Sequence, residues 1–303
     1  MAGGEGTGYI IRALAANFLI ATAKGVGAFI TGSGAMLAET LHSLSDCVNQ
    51  VMLLVGLKQA KRPPDKRYPL GQGRNLYFWS FMVAMLLFLG GGGYAIYEGI
   101  HKLSNPPEKL ESPLVAVVIL AFGLAIESWA MAGAYKAVKA RKGSRSLVRY
   151  LRETKDSDLV VIFGEDAAAV LGLFLALCAI GISVITGDPR WDAIGTLAIG
   201  VVLVGVAVFL AVEVKSLLLG EAADPGLLEV IDIVAKEDAR IVKVLRALTV
   251  QQGPGEIMVA CKLQFREDLS GKELVAAINE FEVRLQTKSP EVRWSFVEPD
   301  DAD

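Results

Sequence analysis

Six long apolar runs limit what this chain can fold into. Each is close to the ~20 residues that a helix needs to cross the hydrocarbon core of a bilayer. Of the 303 residues, 53% are hydrophobic, which is unusual for a soluble protein and typical of a membrane protein. We therefore predict a membrane, all-α bundle of six transmembrane helices. The runs are Tyr9–Ile30, Ala35–Leu57, Leu76–Ile100, Pro113–Ala137, Leu159–Ile185 and Trp191–Leu219.

Basic residues are concentrated in the loops after the second and fourth runs. The loops after the first, third and fifth runs contain few, namely Lys102, Lys109 and Arg190. By the positive-inside rule the even-numbered loops are cytoplasmic, and both termini are then cytoplasmic as well. We expect an integral protein of a bacterial inner membrane whose basic loops contact the headgroups of the lipid bilayer. The basic residues of these loops include Lys58, Lys61, Arg62, Lys66, Arg67, Lys139, Arg141, Lys142 and Arg145.

The composition changes at Glu221 to that of a small soluble domain. In its second expected strand, apolar residues alternate in part with polar ones, which is typical of a half-buried strand. The order of the elements, αββαβ, predicts a small cytoplasmic α+β domain of the ferredoxin-like kind. We therefore divide the chain into a transmembrane domain, 1–220, and a C-terminal α+β domain, 221–303. The expected elements are a helix over Pro225–Asp238, strands over Ile241–Gln252 and Glu256–Phe265, a helix over Gly271–Thr287 with Ser270 as its N-cap, and a strand over Val292–Val297.

His42 and Asp46 lie four residues apart in the second apolar run. On a helix this spacing puts them on one face, about one turn apart. A charged residue at membrane depth costs roughly 2.5–3.5 kcal/mol on insertion scales, so the pair should face a polar cavity or a partner and not lipid. An imidazole and a carboxylate that converge in a dry site are suitable ligands for a divalent transition metal. We therefore predict a metal site built on His42 and Asp46.

Two adjacent carboxylates, Glu165 and Asp166, occur in the fifth run. Neighbours on a helix are ~100° apart, so the two side chains cannot point in one direction. One of them could meet the face of His42 and Asp46, while the other binds backbone, water or a cation. The alternative is a structural ion-pair network for all these groups, with Lys24 as the counter-charge.

The remaining polar residues of the apolar runs carry weaker signals. Glu39 either lines the same cavity as His42 or lies near its outer mouth. The glycine run Gly90–Gly93 is interpreted as a packing or bending site, because no strand precedes it as a phosphate-binding loop would require. His101 is expected at the surface. We interpret the others as interhelical hydrogen-bonding or span-end residues: Asn17, Asn49, Glu98, Glu127 and Glu213.

Three motifs, taken together with the six runs and the C-terminal domain, resemble the cation diffusion facilitator family. They are HSLSD at 42–46, YPLGQGR at 68–74 and WSFVEP at 294–299. The resemblance implies a homodimer that moves Zn²⁺ or a related divalent cation out of the cytoplasm in exchange for protons. It also implies two metal ligands from the second span, at the positions of His42 and Asp46, and two from the fifth.

The fifth run departs from the common family pattern, in which His or Asp stands four residues before an Asp. Here Ile162 stands four residues before Asp166 and cannot bind metal through its side chain. The adjacent acidic pair looks like the branch of the family that includes a mitochondrial zinc exporter. The resemblance therefore implies Asp166 as a ligand and Glu165 as a candidate for the missing fourth. Because the C-terminal domain has no histidine, we expect it to dimerise without histidine-based zinc sites.

One imidazole with several carboxylates suits Zn²⁺, Fe²⁺, Co²⁺ or Mn²⁺ better than Mg²⁺ or Ca²⁺. Metal ligands must be deprotonated, so the same groups can take up protons as the metal leaves. The hypothesis is a proton-coupled divalent metal exporter, with Zn²⁺ as the transported ion, that works by alternating access. The alternatives are an exporter of Mn²⁺ or Fe²⁺ on the same scaffold, or a membrane adaptor or regulatory protein that has lost transport. No nucleophile–base arrangement or cofactor loop occurs, so we expect no enzyme activity, no cofactor and no nucleic-acid partner.

Overall fold

The computed structural model describes residues 5–105, 112–154 and 157–302. The chain divides into two compact units. The first is helical and comprises Met1–Gly56, Phe78–Arg152 and Ser157–Val214; the second contains the strands and comprises Leu57–Tyr77, Glu153–Asp156 and Lys215–Asp303. Lys109 of the third predicted loop, residues 1–4 and Asp303 lie outside the described residues.

Each of the six predicted apolar runs is helical over its whole length. The helices extend beyond the runs at one or both ends, and a short helix, α6, lies in the basic segment where none was predicted. The third run is one continuous helix whose middle is π-helical. The elements are α1 (Glu5–Thr31), α2 (Gly34–Ala60), α3 (Asn75–Leu86), a π-helical segment (Leu87–Gly93), α4 (Tyr94–Ser104), α5 (Pro113–Lys142), α6 (Leu147–Glu153), α7 (Ser157–Thr186) and α8 (Arg190–Leu219).

Four helical stretches of the described chain are long and apolar enough to cross a membrane. They are Asn75–Ser104, Pro113–Lys142, Leu159–Thr186 and Arg190–Leu219. In α1 the apolar stretch Asn17–Thr31 is shorter, and α2 carries the polar residues of the predicted metal site. The structure therefore has a membrane-type helical bundle, and the count of six spans stays a prediction.

The π-helical segment places glycine backbone directly against α8. A Cβ atom on Gly92 would lie 2.7 Å from Val204 Cγ2 and 3.0 Å from the Val204 backbone nitrogen, so no side chain fits there. On α8, a Cβ on Gly200 would lie 2.9 Å from the backbone nitrogen of Ile96 in α4. Small residues permit such close approach between helices in a membrane. The glycine run is therefore a packing site, as its sequence context predicted.

Asp192, in the first turn of α8, binds the turn between α1 and α2. Ser33 Oγ donates to one carboxylate oxygen at 2.5 Å, and the backbone N–H of Gly34 donates to the other at 2.7 Å. The second bond satisfies one of the unpaired N–H groups at the start of α2. Lys102 on α4 donates to the Gly32 carbonyl at 2.5 Å, and its Nζ lies 3.8 Å from Asp192 Oδ2. The ends of α1, α2, α4 and α8 are thus joined by one buried carboxylate.

The second unit contains a three-stranded sheet with strand order β1-β2-β3. Strand β1 pairs with β2 in antiparallel fashion, and β2 pairs with β3 in parallel. The element order is the predicted αββαβ. The elements are α9 (Gly226–Lys236), β1 (Ile241–Gly253), β2 (Glu256–Phe265), α10 (Gly271–Lys288) and β3 (Val292–Pro299).

One face of the sheet packs against α9 and α10. The predicted alternation in β2 is confirmed, because Ile257, Val259, Cys261 and Leu263 are all buried in this core. Burial raises the pKa of the Cys261 thiol to about 12, so the group is a neutral thiol at physiological pH. The core residues contributed by the helices are Leu227, Ile231, Val234, Ala235, Phe281 and Leu285.

Ser270 is the N-cap of α10, as predicted. Its hydroxyl accepts a hydrogen bond from the backbone N–H of Glu273, and the Glu273 carboxylate accepts one from the backbone N–H of Ser270 at 2.8 Å. This reciprocal pair is a capping box, which satisfies two backbone donors at the start of a helix. The capping box therefore defines where α10 begins.

Asp238 joins the segment after α9 to β1 and α10. Arg240 donates to both carboxylate oxygens, at 2.9 and 2.7 Å, and Arg284 on α10 donates at 2.6 Å. These hydrogen bonds lower the pKa of Asp238 well below its ordinary value. Because the carboxylate is buried, charge-assisted hydrogen bonds of this kind contribute more than they would at the surface.

Asp238→Asn should lower the free energy of unfolding of this unit by about 1–3 kcal/mol at neutral pH. Since the folded pKa is depressed, the contribution is complete above the ordinary value of 3.8 and is lost as the pH falls through the lower folded pKa. Hydrogen exchange of β2 in the full chain, measured from pH 7 downwards, should show the difference shrinking in acid.

The matched control is Asp268→Asn, which removes the exposed ion pair of Asp268 with Arg266. It should change hydrogen exchange of β2 far less, because exposed pairs contribute little. Equal effects of the two variants would contradict the role assigned to Asp238.

Candidate metal site

The helix α2 places His42 and Asp46 on one face, as their spacing predicted. His42 Nδ1 lies 3.8 Å from Asp46 Oδ1, too far for a hydrogen bond. The His42 side chain is fully buried, and that of Asp46 is 14% exposed. The structure therefore brings these two predicted ligands together in the interior of the helical unit.

The atoms of this pair that could bind a metal ion are buried without hydrogen bonds. Both ring nitrogens of His42 and Oδ1 of Asp46 have no hydrogen-bond partner among the described residues. A buried polar atom left unpaired typically costs about 1–3 kcal/mol. Such atoms are uncommon in folded proteins and call for an explanation, for which a bound ion is one of the standard candidates.

Glu165 is linked to α2 through Asn49. Asn49 Nδ2 donates to Glu165 Oε1 at 2.5 Å. Asn49 lies seven residues after His42, so it shares the face of His42 and Asp46 on α2. Asn49, expected from the sequence as an interhelical hydrogen-bonding or span-end residue, makes such a bond and holds one of the candidate ligands beside this face. Glu165 also lies near enough to Asp46 for their charges to interact.

Asp166 is the residue after Glu165 on α7. It is an electrostatic neighbour of Asp46 and of Glu127 on α5. Ile162, one turn earlier on α7, is 44% exposed, so its side chain lies at the surface of the unit. The position that carries a ligand in the common family pattern therefore contributes nothing to this interior site.

The four predicted ligands do not form one coordination sphere. In the described part of the chain, no three His, Cys, Asp or Glu side chains are arranged to hold one metal ion. The structure brings His42 to Asp46 and brings Glu165 beside α2 through Asn49. Like charges at short range disfavour their ionised forms, and a cation between them removes this penalty. The arrangement is a set of ligand groups gathered around α2.

Lys24 on α1 is almost completely buried beside this set. Its ammonium lies 3.2 Å from Glu39 Oε2, and it donates to Ser43 Oγ at 2.9 Å. Lys24 is thus the counter-charge expected if these groups form a structural ion-pair network, and the carboxylate that it contacts is that of Glu39. Glu39 pairs with α1 through Oε2, whereas neither ring nitrogen of His42 has a hydrogen-bond partner in the part of the chain that the structure describes.

Glu127, which the sequence suggested only as an interhelical hydrogen-bonding or span-end residue, is a further member of the cluster. Its carboxylate interacts electrostatically with Lys24, Asp46 and His42. It lies one turn after Gly123, whose Cβ position would be 3.5 Å from the Lys24 side chain. Glu127 is the only acidic residue of α5 and lies one turn after a glycine. This isolated carboxylate in an apolar helix was the signal available in the sequence.

Comparison with known proteins gives a family. A family model described as the cation efflux transmembrane domain matches residues 10–219, more than half of the chain. The proton-coupled zinc antiporter SLC30A9 of Xenopus laevis is 30% identical over 277 residues, which cover 88% of this chain and 48% of that protein. Metal tolerance protein C4 of Arabidopsis thaliana is 29% identical, covering 84% of this chain and 56% of the plant protein.

A bacterial protein is also similar over a shorter stretch. The magnetosome protein MamB of Paramagnetospirillum magneticum is 29% identical over 189 residues, covering 61% of this chain and 62% of that protein. The chain spans about half the length of the mitochondrial antiporter and of the plant protein.

Glu127→Gln should weaken Zn²⁺ binding by about tenfold, because it removes a negative charge from the buried cluster at nearly constant volume. One factor of ten corresponds to about 1.4 kcal/mol. Calorimetric titration of the detergent-solubilised protein measures the change. Ser128→Ala, at the exposed neighbouring position on α5, is the control and should bind as the wild type does. Equal affinities for the wild type and Glu127→Gln would remove Glu127 from the site.

Proposed function

Because the chain belongs to the cation efflux family, whose members are membrane transporters and not enzymes, we propose that it exports Zn²⁺ in exchange for protons. Metal cation efflux is supported by the family and by the similarity to proteins named as zinc antiporters and metal tolerance proteins. The choice of Zn²⁺ and the coupling to protons are supported by the printed name of the antiporter and by the ligand chemistry of the cluster.

The observation that carries the proposal is that both ring nitrogens of His42 and Oδ1 of Asp46, on α2, are buried with no hydrogen-bond partner within residues 5–105, 112–154 and 157–302. With Glu165 and Asp166 they would supply one imidazole and three carboxylates. Zinc accepts four such ligands, and a harder cation would prefer oxygen ligands alone. In this structure the four side chains do not form one coordination sphere, so we propose that they bind the transported ion together after the helices have moved closer to each other.

The same four groups offer a physical route to proton coupling. A metal ion binds only the deprotonated forms, so its arrival releases protons and its departure lets the groups take them up again. If the cluster is exposed to one side of the membrane at a time, each cycle exchanges metal for protons. Alternating access of the helical bundle about α2 is therefore part of the proposal.

The remaining parts of the proposal concern the arrangement in the membrane. We assign six spans and place both termini in the cytoplasm, since the basic loops follow the second and fourth spans. Residues 1–220 form the transmembrane domain, and residues 221–303 a ferredoxin-like domain through which two copies associate. The location is a bacterial inner membrane, with a mitochondrial membrane as the alternative suggested by the antiporter's name.

His42→Ala should abolish zinc flux driven by a pH gradient in proteoliposomes, because it removes the only imidazole of the cluster. The matched control is His101→Ala, which changes the only other histidine of the chain. His101 is exposed and stacks on Tyr97 with ring centroids 6.1 Å apart, so its loss should leave the flux within about twofold. Equal flux in wild type and His42→Ala would place the pathway elsewhere.

The same vesicles separate the two other functions that the sequence left open. Competition of Mn²⁺ and Fe²⁺ with Zn²⁺ identifies the preferred ion, and we expect Mn²⁺ to reduce Zn²⁺ flux less than Fe²⁺ does, because Mn²⁺ binds imidazole more weakly. Wild-type vesicles that move no metal under any pH gradient would support the adaptor or regulatory function.

A further inference from the structure

Lys24 is a fixed positive charge in the interior of the helical unit. Its side chain is 1% exposed, although lysine is almost never fully buried unless it is paired. Its partners are the Glu39 carboxylate at 3.2 Å and the Ser43 hydroxyl at 2.9 Å. Ser43 directly follows His42 in the chain. The ammonium is therefore bonded to the residue next to a proposed metal ligand.

Glu39 is held in place from two sides. Its Oε2 faces Lys24, and its Oε1 lies against α7, where a Cβ atom on Gly172 would come within 2.1 Å of it. Oε1 has no hydrogen-bond partner among the described residues. The glycine thus provides the space that Glu39 occupies. With Lys24 in place, the carboxylate is directed to α1 and α7 instead of joining His42 and Asp46.

Electrostatic interactions connect this ion pair to the rest of the cluster. The Lys24 charge acts on His42, Asp46 and Glu127. At the low effective dielectric of a protein interior, charges a few ångströms apart interact strongly. A buried ammonium therefore opposes the arrival of a divalent cation, and a buried carboxylate favours it.

We propose that Lys24 is a built-in counter-cation that sets the affinity and the release rate of the transported metal by neutralising Glu39. This inference rests on the proposed function. Lys24 would be a positioning residue: it acts on the metal through Glu39 and through its own charge, without coordinating the ion. A site with all five carboxylates of the cluster ionised and no counter-charge would hold the metal too tightly for rapid release; they are Glu39, Asp46, Glu127, Glu165 and Asp166.

The proposal predicts opposite effects of the two single substitutions. Lys24→Met leaves Glu39 uncompensated, so the Kd for Zn²⁺ should fall about tenfold, and both KM and the maximal flux should decrease. Glu39→Gln leaves the ammonium uncompensated beside His42, so Kd and KM should rise about tenfold. The double variant Lys24→Met/Glu39→Gln has no net charge at the pair, and its Kd should return to within about threefold of the wild type.

The experiment measures Zn²⁺ binding by titration and Zn²⁺ flux in proteoliposomes, on folded protein isolated by size-exclusion chromatography. Binding is measured at a pH well above the ordinary pKa values of carboxylic acids. Lys139→Met, which removes an exposed lysine near the end of α5, is the control for loss of a positive charge and should bind as the wild type does.

A purely structural ion pair would give a different pattern. Both single variants would then yield less folded protein, but the folded fraction would bind Zn²⁺ with unchanged Kd, and the inference would be wrong. Shifts of Kd in the same direction would also overturn it. If a single variant does not fold, the double variant decides, because the proposal requires it to fold and to bind close to wild type. A wild type without binding and flux would refute the proposed function itself.

Discussion

The cost of burying polar groups on α2 is the constraint on which the helical unit depends. Each polar atom removed from water needs a partner or costs free energy. Neighbouring helices supply partners for two polar groups of α2. Lys24 on α1 pairs with Glu39, and Glu165 on α7 accepts a hydrogen bond from Asn49. Among the described residues, His42 differs from these groups, because neither of its ring nitrogens has a hydrogen-bond partner. Lys24, Glu39, Asn49 and Glu165 each make at least one bond between helices, whereas the ring nitrogens of His42 make none.

Close packing around α2 follows from the same constraint. Short-range ion pairs require helix backbones to approach each other, and glycine permits this where any other residue would clash. Gly172 leaves room for Glu39, because a Cβ atom there would lie 2.1 Å from Oε1 of its carboxylate. Gly172 is therefore part of the electrostatic arrangement, because it permits the position in which Glu39 reaches Lys24.

Local patterns in the sequence predicted more of the structure than its long-range pairings. The alternation in β2, the N-cap at Ser270 and the shared face of His42 and Asp46 depend on neighbours within a few residues, and all three are observed. The Lys24–Glu39 pair and the position of Glu127 depend on which helices are adjacent, which one sequence does not specify. The π-helical turn depends on packing against α8, and α6 has no long apolar pattern to mark it.

Asp192 has a consequence for how such a bundle can move. One carboxylate joins the α1–α2 turn to the start of α8, and Lys102 adds α4 to the same junction. Helices fastened together at one end cannot slide past each other along their length. Motion of α2 relative to α8 is then limited to a swing about this junction, with the largest displacement at the opposite end of the helices. The helices would turn about the Asp192 carboxylate. A residue could then be displaced further the greater its distance from Asp192 along the bundle.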